Sequence, residues 1–345
     1  MKYLLFLILL ISIVGKAEAT MFHIVPAATS TPNGFIQNSF LAVQQTATAT
    51  PTPGSVSFDG PGLNLGNNSI TLNDNSIGYI TSNGSPITTG AMSIFVTIGC
   101  TLGLTIQNFE IGGAVGVNLL DFSETTGNIM LDNLKVTYTG TSAALIFRSV
   151  TSGVKQVFLN RCNITSTGAS AVRENALLTT ANDFYVLNSK LSCPTGIAFN
   201  DNIAVSSNQV FVLENDTIYN SVIGMVGKSG MAVTNLYFFG NTTDYVGTAV
   251  GVTTQLAYSA FGQLPSGAGT SCIYGITIAR EFCDQTNGYV SPAALGRNAG
   301  ISITGVTNQP GLNGIRVDNA CTPGSAAMGC CGYSPALCGG LGVGK

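Results

Sequence analysis

A five-residue word recurs along this chain at a nearly constant interval. Residues 104–108 read Leu-Thr-Ile-Gln-Asn, 129–133 Ile-Met-Leu-Asp-Asn, and 211–215 Phe-Val-Leu-Glu-Asn. Weaker copies stand at 157–161, 185–189 and 237–241. Each copy has apolar residues four and two places before a marked position, which is Asn in four copies, Arg161 in one and Ser189 in another. The marks fall at 108, 133, 161, 189, 215 and 241, so successive steps differ little from one another. A period in this range belongs to stacked supersecondary units, none of which can bury its apolar face alone.

Three strand-like pieces fit within each period. The first ends on the marked residue. The second carries an apolar residue three places later, at Ile111, Val136, Ile164 and Ile218, although Ser192 and Asp244 break that rule. The third falls near residues 117–122, 144–147, 176–178, 196–199, 222–226 and 249–252. Three strands and three turns make one triangular coil, so the expected fold is an all-β solenoid of about seven coils. Residues 72–77 read as an earlier, imperfect copy with Asp74 at the mark. A tight corner forces one residue to positive φ, which Asn tolerates better than most side chains. Its amide can also bond neighbouring groups. With coils about 4.8 Å apart, Asn108, Asn133, Asn215 and Asn241 are expected to form a structural ladder, interrupted at Arg161 and Ser189.

Coil length, three strands per coil and an Asn turn after an apolar-x-apolar-x strand make residues 60–255 resemble the right-handed parallel β-helix proteins of the pectin-lyase-like superfamily. In that family, enzymes that cut acidic polysaccharides work on the outer face of one parallel sheet. They use clustered Asp residues, sometimes with His, or an Arg base with calcium. This chain has no Asp-Asp pair, no Gly-His-Gly and no Arg-x-Lys, and its single His, His23, precedes the repeats. The resemblance therefore carries over no catalytic residue.

The best charged row is Asp121 and Arg148, one coil apart in numbering, continued by Asn200 and Lys228, with Asp201 beside it. Paired carboxylates in a glycosidase stand roughly 5–10 Å apart. Three coils would hold Asp121 and Asp201 about 14 Å apart. The row reads as surface ion pairing, with Asp121, Arg148, Asp201 and Lys228 kept as the alternative site. Glu110 and Lys135 align on adjacent coils, whereas Asp132 and Glu214 are expected to point outward singly. Tyr185, Phe211, Tyr237 and Phe239 occupy core-like positions, leaving Tyr79 and Tyr245 as contacts for a sugar. Calcium-loop and C-x-x-C patterns are absent, so neither metal nor cofactor is expected.

The ends differ from the repeats. Lys2, an apolar run at residues 3–14, and Ala17-Glu18-Ala19 form a secretory signal cleaved after Ala19. Residues 20–57 hold a Thr/Pro linker and a segment whose Ile36, Phe40 and Val43 suit one face of a capping helix, with a loop or strand as alternatives. The β-helix is placed at 58–255. Residues 256–345 form a cap or small module with disulfide candidates Cys272, Cys283, Cys321, Cys330, Cys331 and Cys338. Charged residues make up 8% of the chain, against roughly 25% in ordinary domains. With a net charge of −3 there is no electrostatic case for nucleic acid. No later stretch reads as a transmembrane segment. Sequons stand at Asn67, Asn83, Asn163, Asn215 and Asn241. Chance produces several in so Asn- and Thr-rich a chain, and two coincide with the ladder.

These features point to an exported, extracellular, non-catalytic surface, fibre or adhesion protein of a cell envelope or virus particle. Its partners would be copies of itself or a cell-surface glycan or protein. The alternative is a polysaccharide lyase or glycoside hydrolase of the pectin-lyase-like kind.

Overall fold

The computed structural model describes side chains from Leu65 to Val246, apart from residues 66–68, 71–79, 83–85, 91, 98–102, 114–115, 123–126, 148–155, 175–182, 201–211 and 227–235. Elsewhere it describes only the backbone of short strands. The signal segment at 1–19, the Thr/Pro linker at 46–54, Arg148 and Lys228 lie outside the described residues, as do the side chains of the six C-terminal disulfide candidates.

The chain is a parallel β-solenoid, and no helix occurs among the described residues. Among the described strands, three parallel sheets of 11, 10 and 8 strands form the solenoid, and two further pairs near the C-terminal end are antiparallel. The first sheet includes Leu104–Gln107, Ile129–Asp132, Gln156–Asn160, Asp183–Leu187, Phe211–Glu214 and Met231–Thr234. The second includes Glu110–Gly113, Lys135–Tyr138, Asn163–Ser166, Lys190–Ser192, Thr217–Tyr219 and Tyr237–Phe239. The third includes Leu120–Phe122, Ala143–Phe147, Ser170–Glu174, Ile197–Asp201, Ile223–Gly227 and Thr243–Gly247. Parallel pairing continues past the 58–255 span, back to Met21–Val25 and forward to Ile273–Tyr274. Phe35–Gln37 is a strand on the edge of Met21–Val25, not the start of a helix. A strand there satisfies backbone groups that an open sheet edge leaves bare.

Strand alternation explains the word. Leu104 and Ile106 pair with Ile129 and Leu131, which pair with Val157 and Leu159, and all six are buried. Each such side chain contributes roughly 1.5–3 kcal/mol through burial. Phe122 stacks on Phe147 at 5.3 Å, and Phe147 meets Phe184 edge-on at 5.2 Å. Aromatic rings thus link the inward faces of the first and third sheets.

Register corrects three readings of the word. The copy at 185–189 is one residue out of phase, because Phe184 and Val186 pair with Phe211 and Leu213. Both frames read apolar-x-apolar, and only pairing separates them. Tyr185 therefore points outward, stacked on Phe158 at 4.7 Å. The copy at 237–241 belongs to the second sheet. Its coil's first-sheet strand is Met231–Thr234, and the step from Phe211 to Met231 is shorter than the step from Phe184 to Phe211. The copy proposed at 72–77 fails too: Ile70–Leu72 pairs with Phe95–Thr97 in the third sheet, while Tyr79–Ser82 pairs with Leu104–Gln107. Third-sheet strands also lie at Ser170–Glu174 and Thr243–Gly247, earlier than 176–178 and 249–252.

With these phases, the apolar residue after each first corner forms one unbroken row. Ile111, Val136, Ile164, Leu191, Ile218 and Phe238 pair in succession, and all are buried. Close coil contact also fixes Gly196, where a Cβ would come within 2.3 Å of the Ala169 carbonyl oxygen.

Candidate functional site

The corner after the first sheet is the most elaborated polar feature. Asn108, Asn133, Arg161, Asn188 and Asn215 all have positive φ, between 52° and 60°. The N–H groups of Asn108, Asn133, Arg161 and Asn188 donate to the carbonyls of Asp132, Asn160, Leu187 and Glu214 on the next coil. The left-handed residue thus extends the strand ladder around the bend. Ser189 is not the corner residue. Asn188 is, and it was missed because Tyr185 and Leu187 imitate the inward pair.

Side chains add a second ladder in two pieces. Asn133 Nδ2 donates to Asn108 Oδ1 at 2.9 Å, and Asn108 Nδ2 makes a long contact of 3.5 Å to Thr81 Oγ1. Asn215 Nδ2 donates to Asn188 Oδ1 at 3.4 Å. Arg161 stands between the pieces with no acceptor to offer, and the buried Nδ2 of Asn188 has no hydrogen-bond partner. The guanidinium turns back to Asp132 instead. Its Nε donates to Oδ1 at 2.9 Å and its Nη2 to Oδ2, while Asn160 Nδ2 donates to Oδ1 at 2.9 Å. Asp132 is therefore paired, contrary to the single outward carboxylate expected there.

The residue after the left-handed position carries a further device. Ser189 Oγ accepts from the N–H of Cys162 at 3.1 Å and donates to the Leu187 carbonyl at 2.8 Å. Asp216 Oδ1 accepts from the N–H of Ser189 at 2.7 Å. The corner after the second sheet repeats this arrangement. Ser221 Oγ accepts from the N–H of Cys193 at 2.9 Å and donates to the Tyr219 carbonyl at 3.0 Å. Asn241 Oδ1 accepts from the N–H of Ser221 at 3.0 Å. Asn220 and Gly240, which precede Ser221 and Asn241, take the positive φ there. Asn241 thus belongs to a different corner from the one expected, and its Nδ2 is occupied by the Ile218 carbonyl and Asp244 Oδ1.

Cys, Ser and Asp in one column would suit nucleophilic chemistry, but the geometry is that of a scaffold. Cys162, Ser189 and Asp216 have no exposed surface. Burial pushes the Cys162 thiol up to about 12, far from the thiolate that would react. Burial raises the Cys193 thiol as well. The hydrogen bonds that Ser189 and Asp216 make in this column end on backbone groups.

No protein-family model, curated protein or solved structure matches the chain. The site must therefore be judged on its own residues.

The alternative charged row falls only in part on the described residues. Asp121 pairs in register with Ile146, which pairs with Arg173 and then Asn200. The cross-strand neighbour of Asp121 is thus Ile146, and Arg148 lies outside the described residues. Asp121 Oδ2 accepts from Asn118 Nδ2 at 3.3 Å. Asp201 lies in a different row, beside Glu174, which continues from Phe147 and Phe122. Glu174 is an acid that the sequence reading overlooked. Its place one coil after Phe147 and one coil before Asp201 was the available signal. It stands on the inward row and has no exposed surface. A polymer cannot reach it.

Outside the corners, the second sheet changes character along its length. Lys135 and Glu110 form a 2.8 Å ion pair on an open face, their side chains 60% and 48% exposed. Two coils on from Lys135, Lys190 is buried, its Nζ 4.5 Å from the centre of the Tyr219 ring. Tyr237 and Phe239, further along the same outer rows, are buried too. Tyr245, proposed as a sugar contact, faces the core in line with Met225 and Phe199. No helix among the described residues is long and apolar enough to cross a membrane.

Proposed function

We propose that the chain is an exported, non-catalytic β-helix that serves as a surface, fibre or adhesion component of a cell envelope or virus particle. The observation that carries this reading is the use made of polar side chains. Asp132 is held by Arg161 and Asn160, Lys135 by Glu110, and Asp244 by Asn241. Each of these contacts joins neighbouring coils or pins a corner. Polar chemistry is thereby spent on the rigidity of the rod, as suits a spacer or a display surface.

The finer resemblance to the pectin-lyase-like superfamily belongs to the same proposal. It rests on the word, the three sheets and the Asn corners. Secretion rests on the basic end, apolar run and small-x-small site at residues 1–19. Labelled electron microscopy of the source organism tests the whole reading. Label on a surface structure is expected, and label confined to the surrounding medium would overturn it.

The competing reading, a lyase or hydrolase of acidic polysaccharides, draws on the register pairing of Glu174 with Asp201. Adjacent strands bring such positions to about 5 Å, the spacing of a retaining glycosidase. The inward row of Glu174 argues against it. Cleavage of polygalacturonate that is abolished in Asp121→Ala or Asp201→Ala would establish the enzyme and displace the structural role.

A further inference from the structure

We propose that Asn163 is an acceptor for an asparagine-linked glycan carried on the outer face of the second sheet. Asn163-Ile164-Thr165 has the acceptor pattern. The same pattern occurs at Asn215 and Asn241, and the fold distinguishes the three.

In the strand Asn163–Ser166, Ile164 is buried in the core row, so Asn163 and Thr165 share the outer face. The amide oxygen of Asn163 is buried without a hydrogen-bond partner. Its nitrogen is not among the buried unpartnered atoms and makes no hydrogen bond, which makes it the solvent end of the amide. The N–H of the backbone is already used, donating to the Leu134 carbonyl at 2.7 Å, so a substituent on Nδ2 leaves the sheet ladder intact. Space lies on the side of the preceding coils. Lys135 and Thr137 are exposed beside Asn163 and Thr165, and Glu110 is exposed beyond Lys135.

The other two described acceptors fail on the same criteria. Asn215 has no exposed surface, and its Nδ2 is the ladder donor to Asn188. Asn241 Nδ2 donates to the Ile218 carbonyl and to Asp244 Oδ1. A sugar at either nitrogen would displace those bonds and push a bulky hydrophilic group against packed coils. Asn67 and Asn83 lie outside the described residues.

The co-reactant is a lipid-diphosphate-linked oligosaccharide of a secretory compartment. A bond forms between Nδ2 and the sugar C1, the C1–O bond to the lipid diphosphate breaks, and Nδ2 loses one proton. No oxidation state changes. Transfer takes place on the entering chain, and the fold then decides which modified chains can complete their coils. The proposal rests on the export reading but not on the surface role, and the experiment separates the two.

The full 345-residue chain is expressed in eukaryotic secretory cells. Enzymatic deglycosylation then marks each occupied Asn as Asp for peptide mapping. Folded protein in the medium is expected to carry a glycan at Asn163 and none at Asn215 or Asn241. The Asn163 mark is expected to be lost in both Asn163→Gln and Thr165→Ala, the second of which keeps the Asn. Secreted protein with Asn163 unmodified would overturn this proposal while leaving export intact. Retention of uncleaved chain in the cytosol would overturn both. A glycan on Asn215 in the folded protein would show that burial does not select the site.

Discussion

The two halves of the first corner use the same residue to different ends. Asn108 and Asn133 form their bond near solvent, with Asn133 exposed, whereas Asn188 and Asn215 have no exposed surface. All four hold positive φ, so the conformational demand is equal. What differs is the consequence of losing the amide. Near the surface, water replaces a missing partner, while in the buried half an orphaned group bears its full desolvation penalty. Arg161 divides the halves and trades the ladder bond for an ion pair to Asp132.

The largest expected effect lies at the boundary, in Cys162. Its thiol is raised in the fold, so the folded state holds the proton more tightly than the unfolded state does. Stability is then complete below the ordinary thiol range and falls as pH rises from about 9 toward about 12. Relative to Cys162→Ala, the decline amounts to as much as about 4 kcal/mol, at about 1.36 kcal/mol for each tenfold change in proton affinity. Denaturant unfolding across that range measures it, and parallel curves for the two proteins would remove the buried boundary from the account.

Next is Asn215→Ala, expected to lose about 3 kcal/mol from a strained positive φ and an orphaned acceptor on Asn188. Asn108→Ala in the open half is expected to lose about 1–2 kcal/mol for the same φ with water as substitute. Equal losses in thermal melts would show that burial does not separate the halves. Gly196→Ala is expected to lose about 1–3 kcal/mol, because the added methyl overlaps the Ala169 carbonyl and moves two coils apart. An unchanged melting temperature would mean the coils yield at that corner.

The smallest effect tests the break itself. In an Asp132→Asn background, where the ion pair is already gone, Arg161→Asn is expected to add about 0.5–1.5 kcal/mol by giving Asn188 Nδ2 an acceptor. A double-mutant cycle against the single changes reads this coupling. No gain would show that the two pieces are independent.

Much of the architecture was legible in the word. Leu104 and Ile106 alternate with Thr105 and Gln107, as Leu131 does with Asp132, and alternation maps directly onto the two faces of a strand. Asn108, Asn133 and Asn215 were legible as corners for an equally local reason, the tolerance of Asn for positive φ. Asn188 was not, since Phe184-Tyr185-Val186-Leu187 is apolar in both phases and a one-residue slip exchanges the faces. Tyr237 was misplaced because the coil from Phe211 to Met231 is shorter than the one before it, which a fixed period cannot anticipate. The partner of Asp132 was hidden because Arg161 was read only as a defective Asn.

The sequence by itself determined the coil, its three strands and the kind of residue that turns each corner, because backbone preference and alternation act over a few neighbouring residues. Tertiary structure alone decided phase, row and burial. Whether Glu174 lies in a groove or in the core, and whether an Asn is a ladder rung or a surface amide, depends on which coil stacks against it. That pairing joins residues about one coil apart, and its energy is shared among all the coils together.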